Sequence, residues 1–116
     1  MRDPILEAEL LDLGCAQLVE GGAAFRHLVR HRLTLGDERY GDAYLTPKKD
    51  NLDEALEESA DGAAWPMLEL QRLRGLVDDN AWGELKMLTV GCIATAVQHD
   101  IAVRRFIATR RSFLGS

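Results

Sequence analysis

The sequence predicts an all-α protein, a helical bundle of three to four helices with a long C-terminal helix. Apolar residues recur at helical spacing along nearly the whole chain, and no segment alternates as a half-buried strand does. The 116 residues include only 3 prolines and 6% aromatic residues, which argues against a β-sandwich or a disordered linker. Because the length suits one domain, we predict a single all-α domain over residues 1–116.

The first part of the chain is predicted to form a helix that is interrupted once. Asp3 is a suitable N-cap, and Pro4 suits the first helical position because its missing N–H needs no partner there. The two glycines at 21–22 should break or kink the helix, which then continues to about Thr34. Residues 35–46 carry further glycines among polar and aromatic residues, and we predict that they form the longest loop.

Two more helices are predicted in the second part. The first begins near residues 46–47 or at Asn51, where a capping-box spacing starts, and it runs to about Arg74. Pro66 lies inside this helix and should bend it, because proline cannot donate the backbone hydrogen bond. The last helix spans about 81–111, roughly 45 Å at the usual rise per residue. This length suggests that part of the helix packs against a second copy, so we expect a homodimer.

Charge and cysteine content limit the classes of function. Fourteen basic residues against nineteen acidic ones give a net charge of −5, which argues against binding of nucleic acid through bulk charge. Charged residues interrupt any signal-peptide core, and the longest uncharged run, 87–99, is shorter than the ~20 apolar residues of a membrane span. Cys15 and Cys92 are too few for a disulfide framework and are interpreted as reduced core thiols. We therefore expect a cytoplasmic protein with no membrane partner.

The most informative segment is an acidic stretch at residues 50–61, which holds six acids and no base. On a helix, four of these carboxylates fall within one arc of ~100°. They are Glu54, Glu57, Glu58 and Asp61. Their mutual repulsion indicates either Mg²⁺, which takes hard oxygen ligands, or basic groups on another helix. A solvated acidic face near a helix N-terminus, where the macrodipole favours negative charge, explains the same pattern.

The segment from 39 to 73 also carries a family resemblance. A Tyr-Gly loop at 40–41 precedes a helix with the motif Glu-Glu-x-x-Asp at 57–61, and an apolar run with Trp65 follows. This order resembles the small MazG-like proteins often encoded by phages. They belong to the all-α nucleoside triphosphate pyrophosphohydrolases, so the resemblance places the protein in a bacterial or phage-infected host cell.

The resemblance implies a helical dimer or tetramer that converts a nucleoside triphosphate to a monophosphate and pyrophosphate. Carboxylates of two neighbouring helices hold Mg²⁺ in that family, and the metal neutralises phosphate charge while a water attacks. By resemblance, the catalytic candidates are Glu57, Glu58 and Asp61. The candidate Mg²⁺ ligands are Glu54, Glu58 and Asp61. The family's second acidic motif has no clear counterpart at its usual spacing in this chain.

Basic residues are concentrated between 26 and 32 and near the C-terminus. Arg26 and Arg30, together with Lys48 and Lys49, are candidates for a phosphate-binding group, because guanidinium and ammonium groups pair with phosphate oxygens. A solvated basic face whose arginines pair with nearby acids is the alternative. Both interpretations remain open at this point.

A second class of function suits the same residues. It is a non-catalytic interaction protein whose acidic face docks on a basic protein surface, such as a phage-encoded regulator or an inhibitor of a host system. Nucleophilic catalysis has no support, because Ser59 and the other serines have no base at a useful spacing in the sequence. His99 is expected to be a packed or surface histidine. The expected partner is thus either a nucleotide or a basic protein surface.

Overall fold

The computed structural model describes residues 3–15, 22–40 and 50–115. Four α-helices account for nearly all of these residues: α1 Pro4–Cys15, α2 Gly22–Tyr40, α3 Asn51–Leu73 and α4 Asp79–Leu114. The described residues contain no strand, so the all-α prediction is confirmed. The chain divides into two compact units, residues 1–49 and 50–116. The single domain and the arrangement of all helices in one bundle stay predictions.

The first unit contains α1 and α2, which contact each other. Asp3 caps α1 as predicted, because its carboxylate accepts the backbone N–H groups of Ile5 and Leu6, both at 3.1 Å. An ion pair between Asp12 of α1 and Arg26 of α2 joins the two helices. The first backbone N–H groups of α1 therefore have an acceptor, and an ion pair connects α1 to α2.

The second helix of this unit is longer than predicted. The loop expected over 35–46 is wrong in its first part, since α2 continues to Tyr40. Residues 41–46 lie outside the described part of the chain. Gly36 sits inside α2, and a single glycine costs a helix only about 1 kcal/mol, which neighbouring turns can offset. Glycine content was therefore too weak a signal to end the helix there.

The second unit is a hairpin of α3 and α4, and an ion pair connects the two helices at one end. Asp50 is the N-cap of α3, and its carboxylate accepts the N–H of Leu52 at 2.9 Å. The same carboxylate receives two hydrogen bonds from the Arg110 guanidinium of α4, at 3.0 and 3.1 Å. These bonds from Arg110 hold the pKa of Asp50 below its ordinary value. An acid at a helix start and a base near a helix end suit both macrodipoles.

A short turn closes the other end of the hairpin. Gly75 has a φ of 81°, and Asp78 caps α4 by accepting the N–H of Ala81 at 2.8 Å. The guanidinium carbon of Arg74 lies 6.0 Å from the centroid of the Trp82 ring. A connection this short makes α3 and α4 antiparallel neighbours.

Small residues form the interface between α3 and α4. A Cβ added to Gly62 would lie 3.8 Å from the Cβ of Ala96, so the two backbones approach closely there. Ser59 and Thr89 are buried, and each hydroxyl donates to a carbonyl of the preceding turn, at 3.0 and 2.8 Å. Val103 is the buried apolar residue of the described chain. The interface is consequently narrow, and most apolar side chains of α4 lie outside it.

The long C-terminal helix is confirmed and exceeds its predicted bounds at both ends. It has 36 residues, which correspond to ~54 Å. α3 begins at Asn51, one of its two predicted starts, and continues through Pro66 to Leu73. Among the described residues, no helix combines the length and the apolar character that crossing a membrane requires.

Two glycine substitutions test the turn and the helix that follows it. Gly75→Ala should lower the free energy of unfolding by about 1 kcal/mol, because an L side chain is strained at positive φ. Gly83→Ala should raise it by about 0.5–1 kcal/mol, because alanine favours a helix interior and the space around that position is open. Urea unfolding followed by circular dichroism measures both values. A loss of stability at both positions would contradict a helical Gly83.

The ion pair at the open end of the hairpin makes stability depend on pH. A carboxyl whose pKa is lowered on folding contributes stability above its unfolded-state pKa, near 4, and loses it as the pH falls through the lower folded-state value. Asp50→Asn keeps a capping oxygen but removes the charge. The stability difference between the wild type and this variant should be constant at neutral pH and shrink below about pH 4. Asp79→Asn, at an exposed residue of α4, is the control in denaturant titrations across pH.

Candidate functional site

The predicted acidic face lies on the first half of α3. Helix α3 is continuous through Glu54, Glu57, Glu58 and Asp61, so their spacing places these carboxylates on one side. The last three are exposed, and none of the three makes an ion pair or hydrogen bond within the described part of the chain. Glu54 is half-buried and has a partner. The face therefore presents three unpaired carboxylates to solvent.

Four other acids in the described residues have basic partners. The ion pairs are Asp12 with Arg26, Asp50 with Arg110, Glu69 with Arg72, and Asp100 with Arg104. Because Asp50, the first acid of the stretch 50–61, is paired with Arg110, its carboxylate is not available to bind a cation. Within the described residues, no ion pair offsets the repulsion among Glu57, Glu58 and Asp61.

A complete metal site is not formed by the described residues alone. They contain no group of three or more His, Cys, Asp or Glu side chains arranged to hold a metal ion. In the hairpin, Glu58 borders a groove whose α4 side carries Thr95 and His99 instead of a second pair of carboxylates. Oxygen donors such as Glu58 and Asp61 do suit Mg²⁺, which commonly takes one or two protein carboxylates and completes its shell with water and phosphate.

A groove of about 650 Å³ runs between α3 and α4 beside the acidic face. Glu58 belongs to both the acidic face and the groove wall. Most of the wall is apolar, and small residues such as Gly62, Gly91 and Ala96 leave the space that the groove occupies. Cys92 is exposed on the α4 side, so its predicted role as a core thiol is wrong. Cys92 lies at the edge of the contact between α3 and α4, where the groove leaves it open to solvent.

A polar link crosses the interface within this groove, because Oγ of Ser59 contacts Nδ1 of His99. The Ser59 hydroxyl donates to the carbonyl of Ala55 at 3.0 Å, so Nδ1–H donates to Oγ and the other ring nitrogen carries the lone pair. Spacing in the sequence did not reveal this contact, because Ser59 and His99 are 40 residues apart and meet only through the packing of α3 on α4. Ser59 is only 5% exposed and its proton is engaged, so this pair links helices and is not a nucleophile.

The predicted phosphate-binding residues belong to other parts of the chain. Arg26 forms its ion pair with Asp12 within the first unit, which uses part of its guanidinium. Arg30 is exposed on α2. Lys48 and Lys49 lie outside the described residues. The proposed phosphate-binding group thus stays a prediction, with Arg26 already engaged by an acid of α1.

The hydrogen bond across the groove can be measured by a double-mutant cycle. Ser59→Ala and His99→Ala should each destabilise the hairpin, and their coupling energy should be about 0.5–1.5 kcal/mol, the net value of one hydrogen bond. The single and double variants are compared by urea unfolding. Thr95→Ala is the control for His99, because Thr95 lines the same groove without contacting Ser59. Strictly additive losses would contradict the link.

Comparisons with known proteins identify no relative of this chain. No protein-family model, no curated protein and no solved structure matches this chain. The MazG-like resemblance therefore rests on the motif at 57–61, Trp65 and the preceding Tyr-Gly pair.

Proposed function

We propose that this chain binds a magnesium nucleoside triphosphate on the acidic face of α3 and hydrolyses it to a monophosphate and pyrophosphate. The observation that supports this most directly is the set of unpaired, exposed carboxylates of Glu57, Glu58 and Asp61. Like charges at these spacings destabilise a helix unless a cation or a basic surface compensates them. The resemblance to MazG-like proteins rests on the same residues.

The division of roles follows from the chemistry of phosphoryl transfer. Glu58 and Asp61, with Glu54 in support, would hold Mg²⁺, which would neutralise phosphate charge. Glu57 is the carboxylate left to orient a water and accept its proton as the oxygen attacks the α-phosphorus. The bond from that phosphorus to the bridging oxygen breaks, and pyrophosphate leaves. Arg26, Arg30, Lys48 and Lys49 remain the candidates for phosphate contacts in this proposal.

Non-catalytic protein binding is the second candidate function. Two observations favour it: the described residues supply no second group of carboxylates, and α4 exposes several large apolar side chains. In this function the acidic face of α3 would dock on a basic protein surface through charge complementarity. A cytoplasmic location and a homodimeric state belong to both candidates as proposals.

A magnesium-dependent gain of stability tests the binding site. Mg²⁺ with a non-hydrolysable triphosphate, at 100 times the dissociation constant, should raise the free energy of unfolding by about 2.7 kcal/mol. The double variant Glu58→Ala/Asp61→Ala should abolish this gain. Asp79→Ala/Glu84→Ala removes two exposed carboxylates of α4 and should retain it. An equal gain in all three proteins would exclude the acidic face of α3 as the site.

The hydrolytic step needs its own measurement. Pyrophosphate release is followed for the common nucleoside triphosphates with Mg²⁺, and we expect activity in the wild type and at least a ~100-fold loss in Glu57→Gln, which cannot accept the proton. Binding by Glu57→Gln, measured by the stability gain, should persist. If the wild type binds the nucleotide but releases no pyrophosphate, the hydrolytic step is excluded and the proposed function is reduced to nucleotide binding. Absence of both would favour the protein-binding alternative.

A further inference from the structure

The groove between α3 and α4 contains hydroxyl and imidazole groups whose donor hydrogens are already used. The Ser59 hydroxyl donates to the carbonyl of Ala55, and the Nδ1–H of His99 donates to Oγ of Ser59. The Thr95 hydroxyl donates to the carbonyl of Gly91 at 2.9 Å. The free hydrogen-bonding positions are therefore lone pairs, on Oγ1 of Thr95 and on Nε2 of His99. Both atoms can accept a hydrogen bond from a ligand, but neither can donate one.

The charge at the groove is negative. Glu58 borders the groove, and its carboxylate makes no ion pair or hydrogen bond within the described part of the chain. Among the described residues, no Lys or Arg lines this groove, and Cys92 adds only a weak S–H donor. The unpaired carboxylates of Glu57 and Asp61 on the adjacent acidic face add to the negative potential. The groove thus complements a ligand that brings both N–H donors and a positive charge.

The rest of the groove wall is apolar. Leu88 forms part of it, and small residues such as Gly62 and Ala96 provide the space. The volume of about 650 Å³ lies within the ~300–1,000 Å³ of sites that bind small molecules. Such sites combine an apolar lining with a few polar groups that orient the ligand, and they occur between packed helices. The wall therefore suits the hydrocarbon part of a small molecule.

We propose that the groove binds a small organic ammonium ion with an apolar body. The N–H groups of the ammonium donate to free acceptors of the groove, and Glu58 supplies the opposite charge. The hydrocarbon part lies against Leu88 and the small residues of the wall. Organic anions are excluded, because the groove offers them neither a cation nor a strong free donor. This proposal concerns the groove and does not depend on nucleotide binding at the acidic face.

Three ligands with the same aromatic body test the chemistry of the groove. They are phenethylammonium, phenethyl alcohol and phenylacetate, titrated without Mg²⁺ or nucleotide while backbone amide signals are followed by NMR. We expect phenethylammonium to bind with a dissociation constant of about 1 mM or less. The alcohol should bind at least ~10-fold more weakly and phenylacetate should not bind, because a charged hydrogen bond is worth about 1.5–3 kcal/mol, roughly 10–100-fold. The shifts should be confined to residues around Thr95 and His99.

Two neighbouring acids distinguish the groove from the acidic face. Both are exposed, and Glu58 lines the groove whereas Glu57 does not. Glu58→Gln keeps the size of the side chain but removes its charge, so it should weaken phenethylammonium binding at least ~10-fold. The preference for the ammonium over the alcohol should shrink by the same factor. Glu57→Gln should change the affinity by less than ~3-fold, since its charge acts only through solvent.

Two glycines of α4 provide a matched test of the space. A Cβ added at Gly91 or at Gly83 would meet nothing within 4 Å, so both positions accept a larger side chain. Gly91 lines the groove and Gly83 does not. Gly91→Phe should therefore fill the groove and weaken phenethylammonium binding at least ~10-fold, about the affinity that a charged contact supplies. Gly83→Phe should leave the affinity unchanged, and circular dichroism establishes that both variants are folded.

Four results would each overturn the proposal. They are no binding of phenethylammonium to the wild type, equal affinity for the alcohol, equal weakening by Glu57→Gln and Glu58→Gln, and an unchanged affinity in Gly91→Phe. Asp61→Ala removes a proposed Mg²⁺ ligand that does not line the groove, and it should bind phenethylammonium as the wild type does. Gly91→Phe should keep the magnesium-dependent gain of stability. Failure of the groove is thereby distinguished from failure of the nucleotide site.

Discussion

The close approach of α3 and α4 through small residues is the constraint on which the rest of the hairpin depends. Gly62 and Ala96 bring the backbones together, and Ser59 is buried in the same interface. Many large apolar side chains of both helices are exposed, among them Trp65, Leu88 and Phe106. Small residues at this contact leave the space that the groove occupies, and the acidic face of α3 lies on the surface beside it.

The charged residues of the hairpin differ in whether they are paired. The sequence separates an acidic stretch at 50–61 from arginines near the C-terminus, and the antiparallel hairpin brings the two ends together. Asp50, the first acid of the stretch, is paired across the helices with Arg110. Further along α3, Glu57, Glu58 and Asp61 make no ion pair within the described residues. The net charge of −5 conceals this difference between a neutralised helix end and an uncompensated helix face.

Much of the fold could be predicted from the sequence, because helical periodicity and caps such as Asp3 are local signals. The choice of Asp50 over Asn51 as the cap of α3 could not, since Arg110, distant in the chain, also binds the Asp50 carboxylate. The acidic face was predictable from spacing alone. The contact between Ser59 and His99 was not, because it depends on the register of two helices. The exposure of Cys92 likewise depends on which face of α4 the partner helix covers.

The position of the Asp50–Arg110 ion pair has a consequence for local unfolding. The pair lies at the open end of the hairpin, whereas the turn at Gly75 joins the helices covalently at the other end. Fraying therefore begins at the ion pair, and the first turns of α3 that would separate are those that carry Glu54, Glu57 and Glu58. Any ligand that requires these carboxylates on an ordered helix must draw on the same equilibrium. Order at the helix start would thus be linked thermodynamically to the binding of any such ligand.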